Sequence, residues 1–265
     1  MTARCTEETI EEICKPFTTI ISGSDQIWNP NHIDPIFLQN FVVGNINKIS
    51  YAASLGGQTM PEERISLYKK SLQSFSAISV RENAGRELLH SLGFSAGLHI
   101  DPTLLLDSSH YRVIAKPVLN IKKSFAFCYF LSTDQEYKIQ VQEYVKTHQI
   151  EAIGFSANQE DYAWMKKVDM MGPLEWLWLI DNANVVLTNS YHATILSLIL
   201  HTPFFTFLRF DAKSRQSQNA RLEQLNSYFE IADYLVYTNI PDIQAYSFSK
   251  FEEQLSKLRK NANEY

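Results

Sequence analysis

The 265-residue chain is 45% hydrophobic and 20% charged, with 29 Asp plus Glu against 24 Lys plus Arg and a formal net charge of −5. That composition excludes a disordered or collagen-like chain, and the lack of any basic run or basic face argues against broad nucleic-acid binding. No apolar run approaches the ~20 residues that cross a bilayer, the acidic N-terminus has no apolar signal-peptide core, and Cys5, Cys14 and Cys128, odd in number with no CxxC pair, suit a reduced, cytoplasmic protein.

Apolar, β-branched runs alternate with helical patterns along the chain. A short helical stretch, Glu7–Cys14, precedes a strand at Phe17–Ile21, which runs into Ser22-Gly23-Ser24-Asp25. A second strand, Lys48–Ala53, ends at Ser54-Leu55-Gly56-Gly57. The spacing then predicts a helix over Pro61–Phe75, with Glu62 and Glu63 early and Lys69 and Lys70 late, as the helix dipole favours. A strand at Ala77–Val80, a helix over Glu82–Leu92 closed by Gly93 and a strand at Leu98–Ile100 follow. The polar stretch Asp107–Asn120 reads as a linker, dividing the chain into domains 1–115 and 116–265. Beyond it, strands are expected at Ser124–Leu131, Glu151–Phe155, Asn184–Leu187 and Pro203–Leu208. Helices are expected at Asp134–His148, Pro173–Asp181, Tyr191–Leu200, Asn219–Tyr228 and Ser249–Lys260. Alternation of this kind implies parallel sheets with right-handed crossovers, hence an α/β protein of two Rossmann-like domains. The N-terminal domain looks short by its first βα unit.

Ligands of open parallel sheets bind beyond the carboxyl ends of the strands, near helix N-termini. Polar clusters fall at four such edges: Gly23–Gln26, Ser54–Gly57, Arg81–Asn83 and Thr188–His192. At the last, Asn189 or Ser190 can cap the helix, which puts His192 in its first turn, where it can meet an anion or act as a general acid. The plainer reading is a structural histidine. Arg81 could clamp a carboxylate or phosphate, or form a surface ion pair with Glu82 or Glu87. Gly23-Ser24-Asp25 could be an anion nest or an ordinary turn, Trp28 is expected to anchor a loop, and Asp101 could make an Asx-turn. GxGxxG, GxxxxGK[ST], GxSxG and HExxH are absent, so no metal site or covalent nucleophile is expected.

Several strings occur together in order: Ile21-Ser22-Gly23-Ser24-Asp25-Gln26-Ile27-Trp28-Asn29, Tyr51-Ala52-Ala53-Ser54-Leu55-Gly56, Ile78-Ser79-Val80-Arg81-Glu82, Asp101-Pro102-Thr103-Leu104-Leu105 and Asn189-Ser190-Tyr191-His192-Ala193-Thr194. The series resembles the polysaccharide pyruvyl transferase family. That resemblance implies a fold similar to GT-B glycosyltransferases, with the active site in the interdomain cleft. It also implies transfer of a pyruvyl group from phosphoenolpyruvate to sugar hydroxyls of a surface polysaccharide or its precursor, forming a ketal. The family's Arg-x-His-Gly string maps onto Ser190, Tyr191, His192 and Ala193, so Ser190 stands where the family has arginine. Arg81 matches the arginine of its Val-Arg-Glu string.

The expected catalytic residues are His192 as general acid and Asp25, with Asp25 or Asp101 orienting the acceptor hydroxyl. Arg81, Ser24, Gln26, Asn189, Ser190 and Asp101 are expected to bind substrate. No cofactor is expected beyond phosphoenolpyruvate as donor substrate. The implied partners are a small-molecule donor and a glycan acceptor, with self-association open. Two competing readings remain: a GT-B glycosyltransferase using a nucleotide sugar, and a non-catalytic glycan-pathway binding protein.

Overall fold

The computed structural model describes residues 6, 9–42, 44–57, 59–121, 124–132, 135–169, 171–208, 220–236, 239–241 and 247–265. Cys5, Glu7, Asp134 and Asn219, which figure in the expectations above, lie outside them. The chain forms two compact units. Unit 1 is Met1–Pro102 with Ala212–Gln224 and Lys260–Tyr265; unit 2 is Thr103–Asp211 with Leu225–Arg259.

Unit 1 contains α1 (Ile10–Cys14), β1 (Thr19–Ser22), β2 (Asn47–Ser50), α2 (Glu62–Leu72), β3 (Phe75–Ala77), β4 (Ser79–Val80), α3 (Asn83–Ser91) and β5 (Gly97–Leu98). The expected helix Pro61–Phe75 stops at Leu72, and Phe75 opens a strand instead. The expected strand Ala77–Val80 breaks at Ile78: β3 pairs with β2, β4 pairs with β5, and an Ala53–Val80 bridge joins the two ladders. All of these pairings are parallel, which brings the carboxyl ends of β1, β2, β4 and β5 to one edge. Behind that edge Trp28, Leu38, Leu55, Tyr68, Leu72, Val80 and Leu89 form the core. Trp28 is fully buried, its Nε1 donates to the Phe37 carbonyl, and its carbonyl accepts from the Tyr68 hydroxyl. It is the loop anchor the sequence suggests.

Unit 2 opens differently from expectation. The stretch read as a linker holds α4 (Ser108–Ile114), and the units divide ahead of it, at Pro102/Thr103. Its outer positions Val113 and Ile114 are exposed, so no hydrophobic period marks this helix. Polar ties hold it: Arg112 bonds Asp181 and the Leu200 carbonyl, and the Tyr111 hydroxyl bonds the Thr103 carbonyl.

Then come β6 (Phe125–Phe130), α5 (Gln135–Thr147), β7 (Glu151–Ser156), β8 (Lys166–Lys167), α6 (Pro173–Asn182), β9 (Val185–Thr188), α7 (Tyr191–Leu200), β10 (Phe204–Phe207), α8 (Ala220–Phe229), β11 (Leu235–Val236) and α9 (Phe248–Asn263), of which α8 up to Gln224 and α9 from Lys260 count with unit 1. The six strands are all parallel, in the order β11-β10-β9-β6-β7-β8. Counted within the unit this is 3-2-1-4-5-6 read from β8, the doubly wound Rossmann order, whose direction reverses between β6 and β9. Alternation along β6 sends Ala126, Cys128 and Phe130 into a core with Val141, Ala152, Leu187 and Phe207. Phe125, Phe127 and Tyr129 take the other face.

Among the described residues no helix is long and apolar enough to cross a membrane, and no group of three His, Cys, Asp or Glu side chains is placed to hold a metal ion.

Candidate active site

At the carboxyl edge of unit 1, the chain turns sharply after β1. Gly23 has φ 140°, and a Cβ there would stand 1.9 Å from the Tyr51 carbonyl oxygen, so the close approach of these two segments requires glycine. Asp25 follows at φ 58°. The turn is pinned to the end of β2: Tyr51 N–H donates to Ser22, Ser54 N–H to Asp25, and the Ser24 hydroxyl to the Ala52 carbonyl at 2.8 Å.

Arg81 does not reach out to solvent. It is 2% exposed and forms an ion pair with Asp101, itself 1% exposed. The same guanidinium lies 3.5 Å from the Ser24 hydroxyl, 3.6 Å from Glu82 and 3.7 Å from the exposed Asp25 carboxylate. Residues from the ends of β1, β4 and β5 thus meet on one buried cation. The anticipated surface pair with Glu82 or Glu87 is therefore replaced by a buried pair with Asp101, with Glu82 beside it. Glu82 is also buried and bonded to the Ser54 hydroxyl, and burial pushes its carboxyl above the ordinary glutamate range against the opposing pull of Arg81 and Ser54. Burial, then the Asp101 charge, raises the Tyr51 hydroxyl to about 12. Gln26 sits in the turn beside Asn29, where the φ of 71° at Gly56 and the lack of a Cβ leave it room.

In unit 2 the ends of β6 and β9 are held by neutral groups. After β9, the Ser190 side chain accepts from Ala193 N–H at 3.4 Å and caps α7. Of the two possible caps, Ser190 takes the position. The Asn189 amide turns sideways to the end of β6, accepting from Leu131 N–H at 2.8 Å and donating to the Ser132 carbonyl and hydroxyl. It thereby ties together β6 and β9, the two strands that flank the reversal of strand order. In α7 nine of ten residues are buried, as expected for a helix apolar on all sides. The tenth is His192, half-buried in the first turn, its ring 5.4 Å from that of Tyr191 in an edge-on contact.

The sequence-predicted residues therefore gather in two groups: Ser24, Asp25, Gln26, Arg81 and Asp101 in unit 1, and Asn189, Ser190 and His192 in unit 2. None of them lines the cavity of about 410 Å³ among Gln140, Glu143, Tyr144, His148 and Phe205 in unit 2.

The chain matches the model of the family described as polysaccharide pyruvyl transferase over residues 5–209. It belongs to that family. In this pyruvyl transferase family member the Val-Arg-Glu string is the buried pair Arg81–Glu82, and the helix-opening string begins with a capping serine. No curated protein matches the sequence. Among solved structures, a putative UDP-N-acetylglucosamine 2-epimerase from Listeria monocytogenes matches with TM-score 0.56 and 11% identity, over 98% of this chain and 70% of that one. The UDP-GlcNAc 2-epimerase of Methanocaldococcus jannaschii matches with TM-score 0.53 and 13% identity, over 96% and 72%. That of Neisseria meningitidis gives 0.52 and 9%, over 97% and 74%. These likenesses establish the fold, an α/β architecture with Rossmann-like units, as the strand and helix alternation predicts, and of the GT-B-like kind, as the family resemblance implies.

The bond between Ser54 and Glu82 is not among the sequence expectations, nor are the aromatic residues Tyr129, Phe155 and Trp176 at the edge of unit 2. The alternating aromatics Phe125, Phe127 and Tyr129 in β6 were the available signal.

Proposed function

We propose that this family member transfers the pyruvyl group of phosphoenolpyruvate to two hydroxyls of a sugar in a polysaccharide or its precursor, forming a ketal. A proton delivered to the methylene carbon leaves positive charge at the adjacent carbon. One acceptor hydroxyl adds there and a second displaces phosphate. The first hydroxyl's proton replaces the one delivered to carbon; the second leaves with phosphate.

The observation that supports this reading, beside family membership, is that His192 is the one residue of α7 not fully buried, and it lies in the first turn. There the N-terminal end of the helix favours an anion, and the rigid, buried remainder of α7 holds the imidazole in place. In this reading His192 is the general acid. Asp101, committed to Arg81, serves to fix the charge network of unit 1, while the exposed Asp25 is the carboxylate that orients an acceptor hydroxyl. Arg81 and Ser24 hold the Asp25 turn, and Gln26 remains a candidate for substrate contact beside it. Ser190 and Asn189 act on the backbone that presents His192.

The test is a thermal-shift panel of phosphoenolpyruvate and nucleotide sugars, together with phosphate release from phosphoenolpyruvate in the presence of candidate glycans. Stabilisation by phosphoenolpyruvate supports the proposal. Stabilisation by nucleotide sugars alone would point instead to a nucleotide-sugar glycosyltransferase, and no turnover of any donor to a non-catalytic binding protein.

A further inference from the structure

Along β6 the residues Phe125, Phe127 and Tyr129 share one face. The first two are 1% and 0% exposed. At the carboxyl edge the stripe leaves the core: Tyr129 is half-buried, and Phe155, its register partner on β7, is 37% exposed. Trp176, in the second turn of α6, completes a group of three rings. The Tyr129 ring lies 5.7 Å from that of Phe155 and 5.4 Å from that of Trp176.

The position of this group narrows what it can bind. Tyr129 stands opposite Thr188, the last residue of β9, and Asn189 and Ser190 lead directly from there into the turn that carries His192. The strands that carry Tyr129 and Phe155 therefore lie one and two strand spacings, roughly 5 and 10 Å, from β9, whose end leads into α7. The rings stand at the reversal of strand order, where open α/β sheets bind their ligands. An aromatic face is electron-rich, and the face of a pyranose ring presents C–H groups while its hydroxyls point outward. A half-exposed aromatic group next to the reacting centre suits a sugar ring and leaves the hydroxyls at its rim open to reaction.

We propose that Tyr129, Phe155 and Trp176 form a stacking subsite for a pyranose ring of the glycan acceptor. The inference rests on the glycan-acceptor reading above and adds to it which residues select the acceptor. Phe155, the most exposed ring, supplies the platform. Tyr129 and Trp176 hold it in place and border the sugar toward β9 and α6.

The test is fluorine NMR of protein labelled with 5-fluorotryptophan, which gives one signal for each of the four tryptophans, with Trp176 assigned by Trp176→Phe. Lactose, cellobiose, maltose and mannobiose are each titrated to tens of millimolar. The expected result is a saturable movement of the Trp176 signal with at least one sugar and none of the Trp28 signal. Phe155→Ala weakens that binding about tenfold, the scale of one lost aromatic contact. Phe155→Tyr retains the binding, and Phe155→Leu, which keeps the bulk without the ring, weakens it like alanine. No movement with any sugar, or equal affinity in Phe155→Ala and the parent, overturns the inference. A saturable shift in a protein that leaves phosphoenolpyruvate intact keeps the subsite and removes the donor reading. Glycan-dependent phosphate release that Phe155→Ala leaves unchanged does the reverse.

Discussion

The strand ends around Arg81 in unit 1 and the ends of β6 and β9 in unit 2 solve the same problem with opposite materials. In unit 1, charged groups hold the strand ends: Arg81, Asp101 and Glu82 are all almost fully buried, and the cation is shared among residues from three strands. At the ends of β6 and β9 in unit 2, neutral groups do that work: the Asn189 amide joins the two strands and the Ser190 hydroxyl caps α7, while His192 is left half-buried at the helix start. Among the described residues of this unit, only at the end of β7 does a buried carboxylate, Asp161, accept from Ser156, with Lys138 3.7 Å away. In unit 1 the arginine is held inside the protein by Asp101, and around α7 uncharged groups fix the backbone that carries the titratable side chain.

The contrast can be broken most forcefully in unit 1. Asp101→Ala leaves the buried Arg81 without its closest counter-ion. Breaking a buried pair from one side costs about 3–5 kcal/mol, equivalent to a fall in melting temperature of roughly 10 °C. A melting curve within about 2 °C of the parent would mean that the pair is not holding the strand ends. Asn189→Ala removes three hydrogen bonds and orphans Leu131 N–H, at an expected cost of about 1–3 kcal/mol measured by urea unfolding. Ser190→Ala deletes a cap whose bond is long, so its cost falls toward the lower end of the capping range, about 0.5–1 kcal/mol.

The smallest effect is a dependence on pH. Because the folded protein holds the Glu82 proton more tightly than the unfolded chain does, its contribution to stability is full below the unfolded glutamate pKa and is lost as pH rises through the raised folded value. Glu82→Gln, which keeps an acceptor for Ser54, should flatten that decline and leave the variant relatively more stable at pH 8 than at pH 5. Parallel stability–pH curves for variant and parent would contradict it.

Much of this fold was legible in the residues. Tyr191–Leu200 emerges with the expected bounds because a serine cap precedes a helix whose Ile195, Leu196, Ile199 and Leu200 bury it. The short helix Ser108–Ile114 was not legible, since its anchor is Arg112 rather than an apolar stripe. The break at Ile78 was hidden as well: periodicity cannot show that one apolar run serves two ladders. For the site, chain order alone located His192 in the first turn of α7. It could not show that Arg81 turns inward, because that depends on Asp101, a partner twenty residues away in sequence. The aromatic rim of unit 2 escaped for a related reason. Tyr129, Phe155 and Trp176 lie on three separate elements: sheet register brings the first two together, and the packing of α6 on the sheet adds the third.

The most direct measurement is phosphate release from phosphoenolpyruvate by His192→Ala, with the melting temperature recorded alongside. His192 is the one α7 residue outside the core, so the variant should fold like the parent and lose at least about a hundredfold in rate, the scale of a missing general acid. A folded His192→Ala protein that releases phosphate at the parent rate would contradict the role given to this histidine.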